Sequence, residues 1–181
     1  MAKLVAENHP ALHTISEEVP VTEIASAKIQ KVLKDMRMAL DSYEVEGFHG
    51  VAIAAPQIGV ALRIFLVHST DKKEPNPLPD LVAINPRIVK LSKKTHIVGE
   101  GCLSVPERYG AVKRATNATI RAYDENGNEY ERGAGGLLAQ IFQHECDHLD
   151  GTLFVDVAEK VWHKDEPHAQ KLSEAQQDDA D

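Results

Sequence analysis

The stretch LLAQIFQHECDHL, residues 137–149, decides how this sequence is read. Wound as a helix at about 100° per residue, it places Leu137, Ile141, His144 and His148 within about 60° of one another, on one narrow stripe. Leu138, Phe142 and Leu149 form an adjoining apolar face turned to a core, and Gly151 suits the end of the helix. Two imidazoles one turn apart can reach a single metal ion. Glu145 falls beside the stripe, where a carboxylate approaches the ion's open position without ligating it, as a general base acting on water requires. The plainer alternative is two ordinary histidines and a surface glutamate, but unpaired imidazoles on an apolar stripe are costly. Cys146, about 180° from the histidines, cannot join them and reads as a small buried hydrophobe.

A metal needs a third protein ligand, and GEGCLSVP, residues 99–106, offers Cys102. Gly99 and Gly101 flank a backbone that can pass close to a ligand. A thiolate at Cys102 gives a His2Cys set with one position left open, which distinguishes a catalytic from a structural site. A buried structural cysteine in a strand is the competing reading of Cys102.

The 181 residues suit one domain with a single sizeable core, and 43% of them are apolar. A net charge of −8 argues against a nucleic-acid groove or an anionic membrane surface as the main partner. Half of that charge falls in residues 163–181, with six acids against two lysines. The expected division is therefore a catalytic domain over 1–162 and an acidic polar tail over 163–181, flexible or loosely helical. A C-terminal helix docked through Trp162 and Leu172 is the alternative for that tail. The two cysteines cannot build a disulfide framework, which points to a reducing, cytoplasmic setting. The first ten residues lack the long apolar run of a signal peptide, and no stretch reaches the roughly 20 apolar residues of a membrane helix.

Along the chain, residues 1–20 read as extended, with breakers at Pro10 and Pro20. Ile29, Val32, Leu33, Met36, Leu40 and Tyr43 recur on one helical face and predict a helix over 22–43, which EGFHG (46–50) ends. RIFLVHS (63–69) reads as a strand and the proline-rich 70–80 as an exposed loop. LVAINP (81–86) and RIVKL (87–91) read as two strands split at Asn85-Pro86, and 118–132 as a hairpin around Asn126-Gly127. The absence of regular strand–helix alternation predicts an α+β fold, with antiparallel sheets packed around the helix of His144 and His148.

Three stretches, GVAIAAPQIG (50–59), EGCLSVP (100–106) and QHECDH (143–148), together resemble in order and spacing the three motifs of the peptide deformylase family. INP (84–86) and HP (9–10) are similar too, and the likeness covers roughly residues 4–160. The resemblance implies a hydrolase that removes the N-formyl group from the initiator methionine of nascent proteins. It implies metal ligation by Cys102, His144 and His148, Glu145 as the acid–base residue, and an oxyanion held by Gln57 and the backbone N–H of Leu103. Gly50, Val51 and Gly101 would lie against the substrate backbone, with Tyr109 further along the peptide. Val51, Val98, Leu137 and Ile141 would line a methionine pocket, though each also suits plain core. Fe2+ is the implied ion in the cell, with Zn2+, Ni2+ or Co2+ in purified protein. A monomer with transient ribosome association follows, binding neither nucleic acid nor membrane directly.

Three residues depart from the family pattern. Ala52 stands where a glycine is usual, Tyr109 where many bacterial members carry arginine, and Gln140 where an apolar residue often lines the pocket. These leave the preference beyond methionine open. Two other readings remain: an H-E-x-x-H zinc protease, whose third ligand is generally His or Glu, and a non-catalytic metal-stabilised module bound to the ribosome. Glu145 speaks against the latter, because a structural site has no use for a carboxylate beside an open position.

Overall fold

The structure, a computed structural model, describes residues 3–43, 50–68 and 78–166. EGFHG up to residue 49, most of the 70–80 loop and residues 167–181 lie outside these limits, Leu172 among them. Two antiparallel sheets and two main helices make an α+β fold. Helix α1 is Ala27–Asp41 and helix α2 is Gly136–Leu149, with a short α3 at Phe154–Val157. Strands β1 (Ala52–Ala54), β2 (Ile64–Val67), β3 (Leu81–Leu91), β6 (Asn117–Tyr123) and β7 (Glu129–Gly135) form one sheet in the order β1-β2-β3-β6-β7. Strands β4 (Thr95–Cys102), β5 (Val105–Ala115) and β8 (Lys160–His163) form the second, in the order β4-β5-β8.

The five-stranded sheet is covered on both faces, which explains why β2 reads IFLV without a polar residue. Side chains alternate across the sheet. Ile53, Ile64, Leu66 and Ile84 pack with Leu33, Met36 and Leu40 of α1. Ala52, Ala54, Phe65, Val67 and Ala83 pack with Phe142, Cys146 and Leu149 of α2. The Phe65 and Phe142 rings meet at 6.1 Å between centroids. Helix α2 is thus held by its apolar face, which leaves its histidine stripe to turn toward the β4-β5 sheet.

Two boundaries differ from the sequence reading. Helix α1 begins at Ala27 rather than 22, because Pro20 starts a 3-10 turn over Val21–Glu23 and Ser26 then caps the helix, accepting from the Ile29 N–H. Strand β3 runs unbroken through Asn85-Pro86, where two strands were expected. Proline cannot donate to the ladder, and the pairing with β6 shifts register between Ile84 and Arg87. Asn85 takes φ 53°, a conformation that asparagine tolerates better than most residues. Its side chain accepts from the Val19 N–H and donates to the Val19 carbonyl, both at 2.8 Å. The break read in the sequence is a bulge that ties the N-terminal segment to the sheet.

The β6-β7 hairpin forms as expected, but its turn is wider than a two-residue Asn-Gly turn. Asp124 Oδ1 accepts from the N–H groups of Asn126 and Asn128, and Gly127 takes φ 84°. Strands β5 and β8 were not expected. In β8, Trp162 pairs with Tyr109 and is buried.

Replacing Asn85 with alanine leaves both Val19 backbone groups buried without partners and puts at φ 53° a residue that tolerates that conformation less well than asparagine. The expected loss is about 2–4 kcal/mol of unfolding free energy in denaturant titration. A loss below about 0.5 kcal/mol would mean that the bulge is not held by this side chain.

Candidate metal centre

Cys102 ends β4 and His144 and His148 lie one turn apart on α2, so the centre spans the gap between the second sheet and the helix. The ligand atoms of the three lie within 4.8 Å of one another. Cys102 Sγ is 3.2 Å from His148 Nε2, and the two imidazoles sit edge to face with centroids 4.9 Å apart. His148 is fully buried, and its Nδ1 has no hydrogen-bond partner. One thiol and two imidazoles that converge away from water are a donor set that suits a divalent transition metal.

His144 is fixed from behind. Its Nδ1 lies 2.9 Å from Glu100 Oε2, which leaves the ring's other nitrogen for the centre. Glu100 also receives two hydrogen bonds from Arg114, at 2.7 and 3.0 Å, and Arg114 donates to Asp147 at 2.7 Å. Burial raises the Glu100 carboxyl, but the hydrogen bonds from His144 and Arg114 outweigh it and bring it down to about 2. Glu100 is therefore a carboxylate and a permanent acceptor. The sequence reading missed this trio. Glu100 and Asp147 stand inside the quoted motifs, but Arg114 lies 14 residues past Glu100 and carries no local signal.

Glu145 is buried, and its Oε2 has no hydrogen-bond partner. Burial pushes its carboxyl up to about 7. A bound cation beside it would draw that value down. Gln57 is held at both ends: Oε1 accepts from the Ala54 N–H at 2.8 Å, and Nε2 donates to Ser104 Oγ at 3.2 Å while lying 3.5 Å from Cys102 Sγ. The amide is thus turned toward the centre. Leu103, next to the cysteine, is buried. Gly50 is tight against it, since a β-carbon there would lie 2.7 Å from Leu40 Cδ1 and 3.1 Å from Leu103 Cδ2.

The other residues singled out in the sequence are spread around this centre. The Val51 carbonyl accepts from the His68 N–H at 2.9 Å. Gly101 pairs with Tyr109 across β4 and β5. On α2, Leu137 is 53% exposed, whereas Ile141 is 6% exposed and packs among Phe65 and Phe142. Val98 is buried, and Gln140 donates to the Gly99 carbonyl at 2.9 Å. Cys146 lies in the core beside Phe142 and Leu149, where burial pushes its thiol up to about 12. A thiol so held is an inert core group.

An H-E-x-x-H helix seated on antiparallel sheets, with a cysteine as third candidate ligand, defines an α+β metalloprotein class distinct from sites built on a third His or Glu. Comparison with known proteins narrows the class. The polypeptide deformylase family profile matches residues 1–163, and the chain belongs to that family. It is 36% identical to chloroplastic peptide deformylase 1A of Solanum lycopersicum, over 86% of this chain and 59% of that protein. It thus spans about three fifths of the plant relative's length. It is 37% identical to the peptide deformylase of Shouchella clausii, over 86% of this chain and 88% of that one. Its structure superposes on a Met-Ala-Ser-bound peptide deformylase of Acinetobacter baumannii with a TM-score of 0.75 at 31% identity, covering 85% of this chain and 96% of the other.

Replacing Glu100 with glutamine removes the charge that both His144 and Arg114 face. The expected result is a 10–100-fold loss of metal affinity in chelator competition. Unfolding free energy should also fall by about 3 kcal/mol, because the buried Arg114 loses its buried ionic partner and keeps only Asp147. Adding Arg114→Met should restore part of the stability but none of the affinity. Unchanged metal affinity in Glu100→Gln would remove Glu100 from the centre.

Proposed function

We propose that this chain removes the N-formyl group from formyl-methionyl peptides, releasing formate and a free amino terminus. The observation that carries this reading is the buried, unpartnered Glu145 carboxylate on the same helix as the two histidines that converge with Cys102. Cys102, His144 and His148 would hold a divalent cation, and when bound it supplies Lewis acidity that brings a water toward a pKa of ~7 and polarises a carbonyl. Glu145 Oε2 takes the proton of the attacking water and returns it to the leaving amine nitrogen, so that the C–N bond breaks as a neutral amine departs. Gln57 Nε2 and the Leu103 N–H donate to the negative charge that develops on the formyl oxygen. Because Gln57 is already held by Ala54 and Ser104, little reorganisation is needed as that charge forms. Glu100 and Arg114 keep the His144 ring in one orientation throughout.

The substrate would lie along Gly50, Val51 and Gly101, with its methionine side chain against Leu137 and Ile141 and its later residues toward Tyr109. The Met-Ala-Ser peptide bound by the Acinetobacter baumannii relative supports a peptide as the ligand. We assign Fe2+ as the working ion. Affinity does not select it, since Fe2+ binds most sites more weakly than nickel or zinc, so availability in a reducing cytoplasm must. Both cysteines are free and buried, which suits that compartment. Among the described residues, no helix is long and apolar enough to cross a membrane. The enzyme acts as a monomer, meeting chains transiently as they leave the ribosome.

Glu145→Ala should keep near-normal metal content and lose at least ~100-fold in kcat on formyl-Met peptides. Loss of the metal together with activity would make Glu145 a ligand and sink the role given to it.

A single metal-free preparation reloaded with Fe2+, Ni2+, Co2+ or Zn2+ tests the ion. The Fe2+ form should be highly active without oxygen and decay fast in air, as its thiolate is oxidised, while the Ni2+ and Co2+ forms decay more slowly. Equal activity and equal air stability of the Zn2+ and Fe2+ forms would defeat the iron assignment alone.

A further inference from the structure

Strand β4 is an edge strand of its sheet, and the direction of its peptide groups follows from its neighbours. On the far side of β5, the Lys164 N–H donates to the Glu107 carbonyl and the Glu159 N–H to the Ala111 carbonyl. Peptide groups in an antiparallel strand alternate sides, so Glu107, Tyr109 and Ala111 turn theirs toward β8 and away from β4. In the β4-β5 register, Gly101 faces Tyr109 and Gly99 faces Ala111. These are therefore the non-bonded pairs, and Gly99 and Gly101 project their N–H and C=O groups from the outer edge of the sheet.

At Gly99 that edge carbonyl is taken. Gln140, on the first turns of α2, donates its Nε2–H to it at 2.9 Å. Cys102 marks the end of β4 at which the reacting group sits, if the proposed deformylation is accepted. A peptide whose amino end lies there and which leaves along the edge runs antiparallel to β4. It meets Gly101 first and Gly99 two residues later. Whichever substrate residue pairs with Gly101, the one that reaches Gly99 is the third or a later one. An apolar side chain at position 140 could not donate to that carbonyl, whereas a glutamine does so from the protein's own side.

The geometry points to Gln140 as a specificity-determining residue, whose amide caps the Gly99 carbonyl and stops strand-like pairing of the substrate beyond Gly101. The chain then reads formyl peptides through their first two residues and gains little from those that follow. The inference rests on the proposed activity for the direction of the peptide, and on the hydrogen bond and register for the cap.

The test compares the full-length, metal-loaded chain with Gln140→Leu and Gln140→Met, neither of which can donate. The kcat/KM values are measured on formyl-Met-Ala, formyl-Met-Ala-Ser and formyl-Met-Ala-Ser-Ala, and each protein is referred to its own value on the shortest peptide, so that any general loss cancels. In the wild type the ratio of longest to shortest should stay below about twofold, and in both variants it should rise about fivefold, the worth of one added hydrogen bond. The rise should appear in KM with kcat level, because the added contact is distant from the reacting bond. The same ratios are read from calorimetric binding of Met-Ala, Met-Ala-Ser and Met-Ala-Ser-Ala. Absence of hydrolysis in every case would thus sink the deformylase reading while binding still decides the role of Gln140. A wild type that gains fivefold from the added residues, or variants that gain no more than it does, would overturn the inference.

Discussion

The Glu100 carboxylate is the contact on which the centre depends. It is 4% exposed and lies on the second sheet, yet it receives hydrogen bonds from Arg114 of β5 and faces a ring nitrogen of His144 on α2. Arg114 in turn reaches Asp147, one residue before His148. The chain of charges therefore crosses from sheet to helix at the level where Cys102 must meet the two histidines. Burying ions is costly, and a well-packed apolar cluster could hold a helix to a sheet at least as tightly. An apolar interface, however, tolerates small slides and rotations. A fork of directed hydrogen bonds fixes both the height of the helix and the rotation of one imidazole. The polar network exchanges some stability for the angular precision that a metal demands.

The same division of labour runs through the rest of the fold. Phe142, Cys146 and Leu149 bury one face of α2 in the five-stranded sheet, and that burial supplies the stability. The opposite stripe is then free to carry His144 and His148. On the other side of that sheet, α1 covers Ile53, Ile64, Leu66 and Ile84. With both faces covered, β1 is firmly placed, and the Ala54 N–H at its end can orient Gln57. A residue offered for catalysis is thus set by a strand whose rigidity comes from a helix on the far side of the sheet.

What could be read in the sequence was local. The period of α2 needs only thirteen consecutive residues, and the wheel that separates Cys146 from the histidines is geometry of one element. The histidines and Cys102 announced themselves by residue type and spacing, and Gln57 only through the resemblance to the family motif. Arg114 did not, because its meaning depends on the register of β4 against β5 and on where α2 lies over both. Strand β5 was invisible for a related reason. Pro106, Gly110 and Glu107 at φ 62° break the alternation that marks a strand, and the second sheet alone straightens the segment. Pro86 misled in the opposite sense, since a proline that looks like a strand end in the sequence is a bulge once Asn85 bonds to Val19. Helix α1 was placed correctly and begun too early, because apolar periodicity does not show which polar residue caps it.

An exposed strand edge carries a general liability: its unpaired peptide groups recruit any extended chain. An enzyme that binds peptides by their backbone must keep such an edge, so the length left open matters. The two outward-facing residues of β4 nearest Cys102 are glycines, which give a visiting chain the closest approach. Gln140 closes one of them. Because the cap is a side chain on α2, the helix that carries the histidines also sets how much of the edge a peptide can use. The positions of the two histidines, the carboxylate of Glu145 and the reach of the substrate site are then all fixed by one element, whose own position is set by Glu100.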